Sequence, residues 1–132
     1  MQIVLTKAQR ELLSKESMNN YPNESCALLF GKKEKDKLLT KEIFFTENIE
    51  KSSVDFTISN EQLIKGYKVA ENKRLDVIGI FHSHPNAEPY PSLTDKKFME
   101  INPVIWIIFS NVTNDFKAYF YETEVIEVKL VT

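Results

Sequence analysis

Residues 104–109 read Val-Ile-Trp-Ile-Ile-Phe, the most apolar run in the chain. Six such residues in succession leave no face to turn towards water, and four of them are β-branched. The run therefore predicts a strand, and the innermost one of its sheet. Leu75–Phe81 is apolar and β-branched as well and predicts a central strand. Around these two the pattern alternates in type. Residues 2–5 form a short strand candidate. Thr6 with Gln9 three positions on makes a capping box for a helix reaching about Asn19, which Tyr21-Pro22-Asn23 breaks. Cys26–Phe30, ended by Gly31, reads as a buried strand. The charged turn at 32–37 joins it to a second strand, Leu38–Phe45, as a hairpin. Val54–Ile58 alternates and predicts another strand. Ser59 and Gln62 open a second helix, and Ser92 opens a short third one that Asn102-Pro103 ends. Phe116–Tyr121 and Glu124–Val131 predict a closing hairpin, although its turn, Glu122-Thr123, lacks the usual Asn-Gly or Asp-Gly pair. The sum is an α/β fold: a single mixed β-sheet flanked by about three helices, in one domain spanning 1–132.

Composition narrows the function. The chain carries 17 basic and 19 acidic residues, for a net charge of −2, and its basic runs are short and mixed with acid. Nucleic-acid binding is driven by clustered Lys and Arg, so the expectation is no nucleic-acid partner. No apolar stretch approaches the roughly 20 residues that cross a bilayer, and the apolar N-terminal run is too short for a signal peptide. The lone cysteine, Cys26, allows no internal disulfide, which fits a reducing compartment. The expectation is a soluble, cytoplasmic protein with no membrane partner. Cys26 itself reads as a small buried hydrophobe and Trp106 as core.

The chemistry gathers within fourteen residues. The only two histidines, His82 and His84, stand at the end of a strand pattern. A strand has period two, so both imidazoles project to one face, where they are a ready pair of metal ligands. Asp95 lies eleven positions after His84, in the first turn of the helix that Ser92 opens, beyond a loop restricted by Pro85, Pro89 and Pro91. Two imidazoles and one carboxylate, with a fourth position open, is the pattern of a catalytic zinc site. Each part also has a plainer reading. A His-X-His pair is often only a strand end, Asp95 can serve the helix dipole, and Ser92 can be an N-cap. Other metal folds fit poorly. A His-X-His barrel hydrolase needs a chain nearer roughly 250 residues, a cupin-type site needs a third histidine, and a structural zinc site usually needs several cysteines.

Gly79-Ile80-Phe81-His82-Ser83-His84-Pro85, continued by Pro91-Ser92-Leu93-Thr94-Asp95, resembles the signature of the JAMM (MPN+) metalloproteases: His-X-His, ten residues, then Asp, with Ser three positions before it. Tyr21-Pro22-Asn23-Glu24-Ser25-Cys26-Ala27-Leu28-Leu29-Phe30-Gly31 resembles the family's upstream segment, where a Glu precedes a buried strand. The order of elements across nearly the whole chain is also similar, which implies the cytidine-deaminase-like MPN core. The resemblance implies that His82, His84 and Asp95 bind Zn²⁺. Glu24 would act as general base on the attacking water and pass the proton to the leaving amine. Ser92 would hydrogen-bond the oxyanion. Without the resemblance, Glu24 is one of 19 acids, a surface residue before a strand.

The implied activity is that of a zinc isopeptidase or peptidase acting after the C-terminal Gly-Gly of a ubiquitin-like or sulfur-carrier protein. The chain is similar to the compact prokaryotic type, with little room for the insertions of larger relatives. A flexible Gly-Gly tail could lie extended beside a sheet edge, paired main chain to main chain. Two rivals follow from the same resemblance. One is a non-catalytic MPN scaffold, which usually lacks one or more ligands. The other is a JAMM peptidase acting on another peptide, such as a cell-wall peptide.

Overall fold

The computed structural model describes residues 1–132. In chain order the elements are β1 (Gln2–Val4), α1 (Lys7–Asn20), β2 (Cys26–Glu34), β3 (Lys37–Thr46), α2 (Asn60–Asn72), β4 (Asp76–His84), α3 (Leu93–Ile101), β5 (Ile105–Ser110), β6 (Phe116–Tyr121) and β7 (Val125–Val131). The three helices and the mixed sheet agree with the sequence reading, but the sheet is not an open one. Its order is β1-β3-β2-β4-β5-β6-β7, closed into a barrel.

Closure depends on the shortest strand. β1 runs parallel to β3 on one side, Gln2–Val4 against Lys37–Leu39, and parallel to β7 on the other, against Lys129–Val131. Three residues carry too little periodicity to announce that they bridge two strands so distant in sequence. Closure also bears on the expected edge pairing. The outer side of β3 carries a neighbouring strand only over its first three residues, and the Gln9 side chain occupies the Thr40 carbonyl, so on this side β3 offers another chain only the stretch beyond Thr40.

Strand alternation divides the apolar residues into two clusters. All seven strands contribute to the interior one, in which Ala27, Leu29, Phe81, Ile107 and Phe109 meet Leu13 of α1. The alternate positions Leu28, Phe30, Ile80, Trp106 and Ile108 face outward, where Ala70 of α2 and Met99 of α3 cover them. This is why the 104–109 run has no polar face: both of its sides are buried. The alternation reverses within β4. Leu29 pairs with Gly79 but Phe30 pairs with Val77, so Ile78 bulges out of the β2–β4 ladder and joins the interior with Phe81.

Caps and turns follow the local chemistry. Thr6 and Gln9 form both halves of their capping box. At Ser59 only half forms. The Ser59 hydroxyl accepts from the Gln62 N–H, whereas Gln62 Oε1 accepts from the Glu47 N–H and ties α2 to the preceding connection. The predicted strand at Val54–Ile58 is absent. The whole segment between Thr46 and Asn60 is irregular, and the apparent alternation comes from Phe56, 7% exposed, flanked by exposed or half-buried neighbours.

Gly31 illustrates how tightly the β2–β3 pair closes. A Cβ there would overlap the Leu39 carbonyl oxygen, at the point where the register shifts. Backbone, not a flexible side chain, would have to move. Gly31→Ala is expected to destabilise the protein by about 2–3 kcal/mol, read as a lowered denaturant midpoint with an unchanged m-value. No helix is long and apolar enough to cross a membrane.

Candidate metal centre

β4 ends with His82 and His84 on one face, as strand period two requires. The two Nε2 atoms are 3.1 Å apart, and each lies 3.1 Å from Asp95 Oδ2. All three residues are buried, at 0%, 6% and 4% exposure. The structure thus brings together two residues of one strand and one from the first turn of the helix that follows it.

Asp95 reaches this point through the start of α3. Its N–H donates to Ser92 Oγ at 3.0 Å, and its own Oδ2 accepts from the Ser92 N–H at 2.9 Å. The plain reading of Ser92 as an N-cap is therefore realised. No side-chain donation from Ser92 is present, so its hydroxyl proton is not committed to the cap. The proline-bearing loop between His84 and Ser92 is held by three successive carbonyls. Ala87 O accepts from Ser110 Oγ at 2.6 Å, Glu88 O from His84 Nδ1 at 2.8 Å, and Pro89 O from Tyr119 Oη at 2.5 Å.

The His84–Glu88 bond decides the tautomer. With its Nδ1–H given to a carbonyl, a neutral His84 carries a lone pair on Nε2. That lone pair faces a carboxylate oxygen 3.1 Å away. Two acceptors at this distance repel unless a cation lies between them. Adjacent ligands on a tetrahedral zinc with bonds of about 2.0–2.1 Å stand about 3.3 Å apart, close to the spacing here. The donor set and its spacing fit a zinc ion.

Electrostatics favour a neutral His82 and an ionised Asp95. Burial pulls the His82 imidazole below its usual pKa. The ring is enclosed by Phe56, stacked at 4.7 Å and 22°, and by Trp106, edge-on at 5.7 Å. Its Nδ1 is buried without a partner. Burial also opposes ionisation of Asp95, but the adjacent His82 and the Ser92 N–H outweigh it and hold the carboxyl well below the usual range. Neutral imidazoles beside an ionised carboxylate are the metal-binding forms.

Glu24, just before β2, is 3% exposed, and its Oε1 has no hydrogen-bond partner. Burial pushes its carboxyl up to about 9, and the Asp95 and Asp55 carboxylates add to the effect. The bland reading of a surface acid is thereby corrected: composition alone places an acid at the surface, whereas the connection 47–59 folds over this one. Cys26 is buried, and desolvation raises its thiol to about 11, so it is no nucleophile at neutral pH.

Two residues around the site are invisible to sequence reading. Phe56 reads as part of a strand, and Asn48 carries no signal at all beyond lying before a strand-like stretch. On the far side of Phe56 and Trp106 lies an apolar groove of about 320 Å³, bordered by Ile58 and Leu63 and by Phe98 and Ile101 of α3.

The family model of prokaryotic homologs of the JAB domain matches residues 6–121. The chain belongs to this family, the compact prokaryotic type of JAMM/MPN protein. A desampylase from Pyrococcus furiosus is 36% identical over 110 residues, which cover 82% of this chain and 75% of that one. Among solved structures, a protein from Desulfitobacterium hafniense is similar with a TM-score of 0.89 at 25% identity, over 98% of this chain and 92% of that one. A JAB1/MPN domain protein from Archaeoglobus fulgidus shares the fold with a TM-score of 0.61 at 22% identity, over 100% of both chains.

Proposed function

We propose that the protein is a zinc-dependent isopeptidase that hydrolyses the amide bond after the C-terminal Gly-Gly of a ubiquitin-like or sulfur-carrier protein, with residues 1–132 acting as one catalytic domain. The observation that carries this reading is the triangle of two imidazole nitrogens and one carboxylate oxygen, 3.1 Å on each side, with the buried carboxyl of Glu24 pushed up by its burial and by the charge of Asp95. The similarity to a desampylase supports the substrate class.

His82, His84 and Asp95 would hold the ion. Zinc bound there would supply a Lewis acid and bring the acidity of water into the neutral range. Glu24 takes the proton from the attacking water and delivers it to the leaving nitrogen. Its raised pKa suits the second half, proton delivery, and the charge of bound zinc would favour the ionised form that the first half needs. The uncommitted hydroxyl proton of Ser92 donates to the oxyanion, while its oxygen keeps capping α3. Phe56 and Trp106 exclude water from His82 and hold its ring. The apolar groove beyond them receives a side chain from the segment preceding Gly-Gly. Ile101, 72% exposed on its rim, tolerates substitution. Ile101→Asp is expected to raise KM about tenfold with kcat unchanged, the mark of lost uniform binding.

The complete ligand set and the buried Glu24 speak against a non-catalytic scaffold, and a well-purified protein that never holds zinc would favour one. The decisive test of the enzyme reading is turnover of a Gly-Gly-linked conjugate by the zinc-loaded protein, with and without chelator. Undiminished turnover under chelation sinks the mechanism. Faster cleavage of a cell-wall peptide than of the conjugate would redirect the substrate.

A further inference from the structure

The connection between β3 and α2 has no regular structure, yet it holds two buried side chains, Asn48 and Phe56. The Asn48 amide makes four hydrogen bonds, all to backbone. Nδ2 donates to the carbonyls of Glu24 and Asp55, each at 3.0 Å. Oδ1 accepts from the N–H groups of Glu50 and Thr57, each at 3.1 Å. That uses both donors and both lone pairs of a primary amide, a combination neither Asp nor Ser can reproduce.

The partners matter more than the number. Glu24 O is one end of the clamp, and the Glu24 N–H donates to Ser52 O in the same connection at 2.7 Å. Both backbone groups of Glu24 are therefore held by this segment and by no strand. Asp55 and Thr57, the other end, bracket Phe56, whose ring stacks on His82. One amide thus ties the backbone of Glu24 to the backbone that presses on a metal-ligand candidate. The register of the next residue is kept separately, since the Ser25 N–H donates to Ser83 Oγ at 2.8 Å, between the two histidines. Removing Asn48 frees the Glu24 carbonyl and loosens the segment that holds its N–H, without unpairing β2 from β4.

We propose that Asn48 is a positioning residue that sets the Glu24 carboxyl against the His82–His84–Asp95 triangle. The proposal rests on the reading of Glu24 as general base. It is tested with Asn48→Asp, which keeps the shape and the two accepted bonds but faces oxygens to the Glu24 and Asp55 carbonyls, and with Asn48→Ala. In zinc-loaded protein turning over a Gly-Gly-linked conjugate, both variants should lose about 30-fold to 100-fold in kcat, the scale of a 1 Å misplacement. KM should stay within about threefold, and zinc affinity measured by chelator competition should be unchanged. Without zinc, hydrogen exchange should accelerate at the Glu24 amide in both variants and at the Thr57 amide in Asn48→Ala, while the amides of Leu28 and Ile80 keep their protection.

Wild-type kcat in both variants at full zinc loading overturns the proposal. So does a loss of kcat that disappears at a temperature where the variant is fully folded, since that marks a merely structural role. Glu24→Gln, assayed in parallel, separates the two readings. If it remains fully active, the general-base assignment fails and Asn48 has nothing to position. If it is inactive while the Asn48 variants are unimpaired, only the positioning role fails.

Discussion

Glu24→Gln should abolish turnover and, in the same protein without zinc, raise its thermal stability at pH 8. The catalytic loss is expected at about 10²–10⁴-fold in kcat, the usual worth of a general acid–base, with zinc still bound. The gain in stability has the opposite sign for a definite reason. In the unfolded chain the Glu24 carboxyl titrates near 4.5, and in the folded protein near 9. Below the lower value both states are protonated and the group contributes nothing. Between the two, the folded state holds a proton that the unfolded chain has released, so stability falls as pH rises, and the loss is complete above about 9. A neutral amide of the same shape removes that slope. At pH 8 the midpoint should rise on the order of 10 °C. Melting curves from pH 5 to 9 would show it. A wild-type stability independent of pH over that range would contradict the buried, raised carboxyl.

Asp95→Asn should carry the second large effect, on metal and not on fold. The amide oxygen can still accept the Ser92 N–H, and the backbone N–H at this position can still donate to Ser92 Oγ, so the cap of α3 survives. What disappears is the ionised oxygen shared by both imidazoles. Groups that merely orient ligands are worth about 10–100-fold in metal affinity, so replacing the ligand itself should lower zinc affinity by more than about 100-fold, with turnover falling alongside. Competition with a chromophoric chelator measures the first, and circular dichroism checks that the helix remains. The wild-type Asp95 also has an acid limb. Its folded pKa is depressed, so the stability it contributes is present above its unfolded value of 3.8 and is lost as pH falls below it. Unchanged zinc affinity in Asp95→Asn would remove Asp95 from the ligand set.

Much of this is legible before folding, because some signals are local. The 104–109 run has to be buried on both sides, and it is β5, sandwiched between the two apolar clusters. His82 and His84 have to share a face, because a strand repeats every two residues. Ser92 and Asp95 have to meet, because capping geometry joins the N-cap to the third residue of its helix. These facts need only the chain within a few residues, or within one element.

Contacts between distant segments leave no such trace. Gln2–Val4 closes the sheet by meeting residues 37–39 and 129–131, a pairing that no periodicity encodes. Glu24 acquires its shifted acidity only because residues 48–57 fold over it and Asp95 approaches from much further along the chain. In sequence, Phe56 looks like part of a strand and Asn48 like an ordinary amide. Their roles appear only when an irregular segment is laid across the site. By itself the sequence determined which residue types stand at the ends of which elements. Tertiary structure decided which of those ends converge and how dry the meeting point is. Dryness separates a buried, raised Glu24 from the other acids on the surface, and it comes from packing between segments far apart in the chain.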